Sequence, residues 1–257
     1  MMTSDLNASE TGNLKQKASG QDGFPGDLVL EIGRFFLGAP YQTGTLEMPG
    51  REKLVVNLHA FDCTTFVETV LALARCAAAG NLSPLPFRKN LKQLRYRRGN
   101  IDGYASRLHY FTDWLADNQK KKELKDVSRD LGGRPHRKKI NFMTAHRDLY
   151  AGLKNEIQLD QMIRVEKNLS RRVFYIIDKN KVSRRQAAIQ QGDLIAFATN
   201  QEGLDVAHVG FAVRRGGHLH LLHASSEGGA VAVSPETLPA YLKRHKTFTG
   251  ILVARFS

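Results

Sequence analysis

A helix packed on an antiparallel sheet, an α+β fold, is what this sequence predicts, on three observations. The run Phe66-Val67-Glu68-Thr69-Val70-Leu71-Ala72-Leu73-Ala74 is apolar almost throughout and suits one buried helix. From about residue 193 onward the chain breaks into short β-prone runs separated by turn residues. Between two of those runs stands Gly216-Gly217, a pair suited to a two-residue hairpin because both positions accept positive φ. A helix followed by an antiparallel meander is an α+β layout.

Taken in order, residues 1–24 are polar, rich in Gly, Ser and Asn and without period, which reads as a disordered tail. Asp27 then caps a short helix from Leu28 to Leu37, ended by Gly38 and stopped by Pro40. An irregular segment, Tyr41 to Ala60, leads to the central helix, expected from about Asp62 to Ala79 with Gly80-Asn81 as its stop. Two starts compete. Asp62 as cap sets Phe61 against Phe66 as a hydrophobic staple, whereas Thr65-Phe66-Val67-Glu68 reads as a capping box. Either way Cys63 lies at the helix mouth.

From about 85 to 190 the pattern is basic and mostly helical. Helices are expected over Phe87–Arg97, Arg107–Asn118, Phe142–Leu153 and Leu159–Leu169, with a polar loop at Gly132-Gly133. Strands are expected over Asp193–Ala198, His208–Arg214, Leu219–Ala224, Ala230–Ser234 and Ile251–Arg255, with a helix near Leu238–Arg244. No repeat and no linker interrupts residues 25–257, so one domain is expected there.

Composition sets bounds. A chain of 257 residues buries a core unaided, and 42% hydrophobic with 25% charged residues is ordinary for a globular protein. No apolar run approaches the roughly 20 residues that span a bilayer, so no membrane span is expected. Met1 to Asn7 lacks the apolar centre of a signal peptide, so the expectation is either a cytoplasmic protein or a chain that begins downstream of a removed leader. The net charge of +13 favours polyanions: nucleic acid, anionic lipid or an anionic wall. Its clusters are Arg95-Tyr96-Arg97-Arg98, Lys120-Lys121-Lys122 and Arg137-Lys138-Lys139. Such runs are ordinarily solvated faces, and no zinc-finger, basic-zipper or RNA-recognition pattern accompanies them, so nucleic acid is not the expected partner.

The 2 cysteines, Cys63 and Cys76, are expected as free thiols, because one helix would hold them about 20 Å apart. Cys76 reads as a small core residue. Cys63, in the first turn, faces unpaired N–H groups and the positive end of the helix dipole, which favour a thiolate.

The hairpin adds the histidines. Arg215 opposite His218 continues to His208 opposite Ser225 and His223 opposite Gly210, so His208 and His223 are same-face neighbours on adjacent strands. Leu219, Leu221 and Ala212 share that face and are expected to pack on the Cys63 helix. In this register His208 serves the thiol as base and acid, and His223 fixes the tautomer of His208, as the third member of a triad does. His218 and His220 fall on the other face. Cys63, His208 and His223 are also residue types that bind zinc, an alternative reading with His59 as a fourth candidate ligand. One Cys and two His form a sparse structural site, and neither metal nor cofactor is expected. A structural cysteine and satisfied strand histidines remain the plain alternative, with a non-catalytic polyanion-binding module as the competing class.

Phe61-Asp62-Cys63, His208-Val209-Gly210 and Leu222-His223-Ala224-Ser225 resemble the NlpC-type cell-wall cysteine peptidases and amidases, which have a papain-like core. Leu37-Gly38-Ala39-Pro40-Tyr41 looks like the segment that brings a tyrosine beside the cysteine there. Gly44-Thr45-Leu46-Glu47, Val55-Val56-Asn57-Leu58, Gly103 to Phe111, Asn141-Phe142-Met143 and Gly203 to Gly210 narrow the likeness to one branch, the N-acetylmuramoyl-L-alanine amidase-like family. The similarity runs from about 27 to 256. It implies a bacterial peptidoglycan amidase that cuts between N-acetylmuramic acid and L-alanine, on anhydro-muropeptide fragments, with Cys63, His208 and His223 as its catalytic set. It implies further that Tyr41 donates to the oxyanion, that Glu47, Arg107 and His109 contact substrate, and that residues 85–190 are a family-specific helical insertion. Relatives of similar core cut the D-glutamyl–diaminopimelate bond instead, which stays open. Ile177-Asp178 stands where relatives commonly carry Ile-Pro. The resemblance implies a periplasmic or envelope location, and the expected state is a monomer.

Overall fold

Capping chemistry around Asp62 sets the central helix in place. In a computed structural model that describes residues 26–256, the Asp62 carboxylate accepts the Thr65 N–H at 2.7 Å while the Thr65 hydroxyl accepts the Asp62 N–H at 2.9 Å. Helix α2, Cys63–Ala78, begins at that box. The Phe61 and Phe66 rings meet edge to face at 6.0 Å, the staple that the Asp62 start requires. The expected tail, residues 1–24, lies outside the described residues.

Helix α1, Gly26–Phe35, lies against α2, and α3 follows as Pro84–Arg95. Next comes α4, Phe111–Lys120, then the short strands β1 (Leu124–Asp126) and β2 (Arg134–His136). After α5 (Phe142–Ala145), α6 (Glu156–Arg171), β3 (Phe174–Asp178) and α7 (Val182–Arg185), the chain enters β4 (Leu194–Thr199). The meander continues as β5 (Val206–Arg215), β6 (His218–Ser225) and β7 (Ala230–Val233), and closes with α8 (Leu238–Arg244) and β8 (Phe248–Phe256).

The eight strands form one sheet in the order β2-β3-β8-β4-β5-β6-β7, with β1 also on β8, and every pairing is antiparallel. Gly216 and Gly217 take φ of 56° and 80°, and Arg215 pairs His218, as the turn chemistry predicts. Both sheet faces are covered. On one, Val209, Phe211, Leu222 and Ala224 pack against α1 to α4, with the Phe66 and Phe211 rings 5.9 Å apart. On the other, Ile195, Phe197, Ala212, Leu219 and Leu221 pack against Leu238, Tyr241 and Leu242 of α8.

Three expectations are corrected here. Ala212, Leu219 and Leu221 pack on α8 and not on the Cys63 helix, because both faces of the sheet are apolar and the helix takes the opposite one. The segment 85–190 is not wholly helical: it supplies β1, β2 and β3, which extend the sheet beyond β8. The helix expected over 107–118 begins only at Phe111, and the one expected from Phe142 ends at Ala145 in short 3-10 turns.

Candidate active site

Helix α2 presents Cys63 at its first position, half-buried, beside β5. The backbone N–H of Val209 and the N–H and hydroxyl of Thr64 face the Cys63 sulfur and favour its charged form. Removal from water outweighs these donors, and the neighbouring Asp62 carboxylate adds to it, so the thiol is pushed up to about 12. The dipole of the helix start acts in the right direction, but burial dominates.

One residue from Val209, His208 turns to the α8 face. Its Nε2 lies 2.6 Å from Nδ1 of His223, with the rings edge to face at 4.8 Å. One of these nitrogens carries the shared proton, and His208 Nδ1 is left for another partner. Burial holds His208 well below the usual imidazole range, with the His223 charge as second cause. His223 is lowered to about 4, chiefly by burial, against the opposing pull of Glu236 and Glu227.

Tyr41 joins Cys63 through the backbone. It bridges Phe61 in parallel, Gln42 N–H donates to Phe61 O at 2.9 Å, and Tyr41 N–H donates to Gly229 O at 2.8 Å. Its hydroxyl is pushed up to about 12 by burial and then by the charges of Cys63 and Asp62, which marks it as a neighbour of the thiol.

Tyr241 is a member that sequence reading missed. Its ring lies 6.2 Å from His208 and 5.5 Å from His223. Its hydroxyl is raised by burial, with Glu227 and Cys63 among the charges it senses. The His245 ring lies tilted against it at 4.3 Å and reaches Glu227 at 3.1 Å. Helical spacing explains the burial of Tyr241; nothing in the sequence aims it at two histidines.

Glu47, Arg107 and His109 do come together, though apart from the thiol. Arg107 Nη2 donates to Glu47 Oε1 at 2.8 Å, its Nε lies 3.3 Å from Glu52, and the guanidinium covers the Tyr104 ring at 4.8 Å. The Tyr104 hydroxyl donates to Glu47 at 3.0 Å. His109 Nε2 pairs with the Tyr104 carbonyl at 2.9 Å, and burial with the Arg107 charge holds the ring well below its usual pKa. Arg107 is 6% exposed, so its fork is committed to Glu47 and Glu52. No hydrogen bond or ion pair among the described residues joins this group to Cys63 or the histidine pair. The buried Glu68 of α2 is met by Arg95, whose Nε lies 2.6 Å from it and whose Nη1 donates to Val55 O at 2.6 Å. Among the described residues no group of three or more His, Cys, Asp and Glu has the arrangement of a metal site. Nor is any of their helices long and apolar enough to cross a membrane.

The profile described as AmiA-like, N-acetylmuramoyl-L-alanine amidase-like, matches residues 31–251. The chain belongs to the N-acetylmuramoyl-L-alanine amidase-like family. An N-acetylmuramoyl-L-alanine amidase from Bacteroides uniformis is 40% identical and superposes with a TM-score of 0.86 over 90% of this chain and 98% of its own. A Bacteroides fragilis protein described as a candidate xylanase is 41% identical with a TM-score of 0.84, over 88% of this chain and 100% of that one. A Legionella pneumophila protein at 22% identity shares the fold, with a TM-score of 0.68 over 99% of this chain and 96% of its own. No curated protein sequence matches significantly. The amidase-like family membership makes this chain amidase-like, with a peptidoglycan-related substrate.

Proposed function

We infer that the protein is a cysteine-dependent N-acetylmuramoyl-L-alanine amidase of NlpC type, with a papain-like core, acting on anhydro-muropeptides of the bacterial envelope. Residues 25–257 form its single catalytic domain, working as a monomer. The observation that carries this reading is the 2.6 Å pair of His208 Nε2 and His223 Nδ1, one residue from Val209, whose N–H faces the Cys63 sulfur.

The chemistry starts from a neutral thiol and a neutral imidazole, because burial raises Cys63 and lowers His208. His208 Nδ1 takes the thiol proton as sulfur attacks the lactyl carbonyl, so charge forms only as the bond forms. The resulting imidazolium donates through Nε2 to His223, which accepts at Nδ1 and fixes the tautomer. The Cys63 N–H and the Tyr41 hydroxyl donate to the oxyanion. His208 then protonates the departing alanine nitrogen. Water, activated by His208, releases the acyl group from sulfur.

Incubation with a defined anhydro-muropeptide, followed by mass analysis, tests the reading. Release of an intact stem peptide beginning with L-alanine is expected, and Cys63→Ala should lose nearly all turnover with its fold retained. Cleavage after D-glutamate would replace the amidase with the endopeptidase. Full turnover in Cys63→Ala would remove the thiol mechanism.

A further inference from the structure

Two basic runs, 97–98 and 120–121, meet across one cavity of about 630 Å³. Its walls are a tight turn carrying Arg97 and Arg98, the face of α4 bearing Asp113, Asp117, Lys120 and Lys121, and the face of α6 bearing Arg164 with Arg172 just beyond it. The spacings 113, 117, 120, 121 and 164, 168, 172 are those of single helix faces, so the charges are aimed together by both helices.

Six cationic side chains therefore share a concavity with two carboxylates. The carboxylates are already occupied. Asp113 pairs with Arg97 at 2.7 Å and Arg172 at 3.1 Å, and Asp117 pairs with Lys121 at 2.7 Å and accepts the Arg98 N–H at 3.1 Å. Arg98, Lys120 and Arg164 have no ion pair among the described residues, and they come from three different walls. Lys120 complements the dipole at the end of α4, as last-turn cations do. Arg164 lies mid-helix, where no such account applies.

Arg98 carries a second signal. It is held at φ 54° and ψ 20°, a left-handed backbone that disfavours any residue with a Cβ, and the Asp117 carboxylate pins its N–H there. Glycine would sit at this position without strain. A strained arginine facing a cavity is what a site that needs its guanidinium would keep.

We propose that this cavity is an anion site for a small ligand carrying two adjacent phosphate groups, separate from the Cys63 centre. Guanidinium forks match phosphate oxygens in paired hydrogen bonds, and a diphosphate concentrates several negative charges in a length that three converging cations can surround. Carboxylates spaced along a peptide do not reach that charge density. The volume lies within the roughly 300–1,000 Å³ of small-molecule sites, so there is room for an organic group on the diphosphate.

Calorimetric titration of the full chain with inorganic pyrophosphate at low salt tests the proposal, with uridine diphosphate, citrate and a short single-stranded oligonucleotide as the other arms. Pyrophosphate is expected to bind, and Arg98→Gly and Arg164→Ala are each expected to weaken it about tenfold. Arg98→Gly relieves the left-handed strain, so its melting temperature should hold or rise, and muropeptide cleavage should be unchanged in both variants. Tighter binding of the uridine nucleotide would identify an esterified diphosphate as the source, and equal binding a free one. Absence of pyrophosphate binding at millimolar concentration would overturn the site, as would binding that the two variants leave intact. Citrate binding equally would overturn the phosphate class, and preference for the oligonucleotide would replace the small ligand with a nucleic-acid groove.

Discussion

A Cβ on Gly210 would fall 2.9 Å from the Cβ of His223. It would also meet the Leu222 carbonyl oxygen at 2.8 Å and Leu221 Cδ1 at 2.9 Å, two of the three contacts being close to fixed backbone. Glycine at this strand position is therefore a spatial requirement of the histidine beside it. Gly210→Ala is expected to destabilise by about 1–3 kcal/mol, as overpacking does, and to lower kcat by moving His223. Thermal melts and kinetics on the surviving fold check both; an unchanged kcat would separate His223 from the rate.

The same burial sets a pH window. His223 is lowered to about 4, so its accepting, neutral form persists well below the ordinary imidazole value near 6.5. Burial also holds His208 well below that range, so the acid limb of kcat/KM is expected well below pH 6.5. Stability follows with a definite sign. Between those values the unfolded chain binds more protons than the fold, so stability is full above about pH 6.5 and falls as pH drops toward 4. A kcat/KM profile with its acid limb at 6.5 would show an open, solvated pair.

Tyr41→Phe removes one proposed oxyanion donor while leaving the backbone bridge to Phe61 in place. Losing such a donor typically costs about 100- to 1000-fold in turnover, with little change in KM. An unaltered kcat would take the hydroxyl out of the reaction.

Arg107→Lys addresses the buried cluster. Lysine cannot span Glu47 and Glu52 as the fork does, nor cover the Tyr104 ring, so a loss of roughly 2–3 kcal/mol is expected. Kinetics of the folded fraction should stay normal. Weaker substrate binding at an unchanged melting temperature would return Arg107 to recognition.

What the sequence made legible was local chemistry. Asp62 with the Phe61 and Phe66 staple gives the helix start, though Thr65 completes the box with Asp62 and not with Glu68, and Gly216-Gly217 fixes the register, from which the period of two brings His208 and His223 together. Parity names which residues share a face but not what covers it, and β4 is buried on both sides, so the partner of Leu219 and Leu221 was undetermined. Strands β1 and β3 exist because β8, far along the chain, offers them an edge. The helix dipole at Cys63 can be counted from the sequence, whereas the burial that opposes it cannot. Arg107 looked available for the same reason: its acids, Glu47 and Glu52, lie across a segment with no period.

Strand β8 sits between β3 and β4, with β1 on the same edge as β3, although it is the last described element of the chain. During synthesis the strand that carries His208 can pair with β6, but the two parts of the sheet have nothing to join them until residues 248–256 emerge. Phe248 belongs to that strand and also stacks on Phe197, against which the His208 ring lies. A nascent chain thus lacks a continuous sheet behind the histidine pair until β8 is threaded into the middle. Removing residues 248–256 should abolish the fold outright, because the strand they form is central to the sheet.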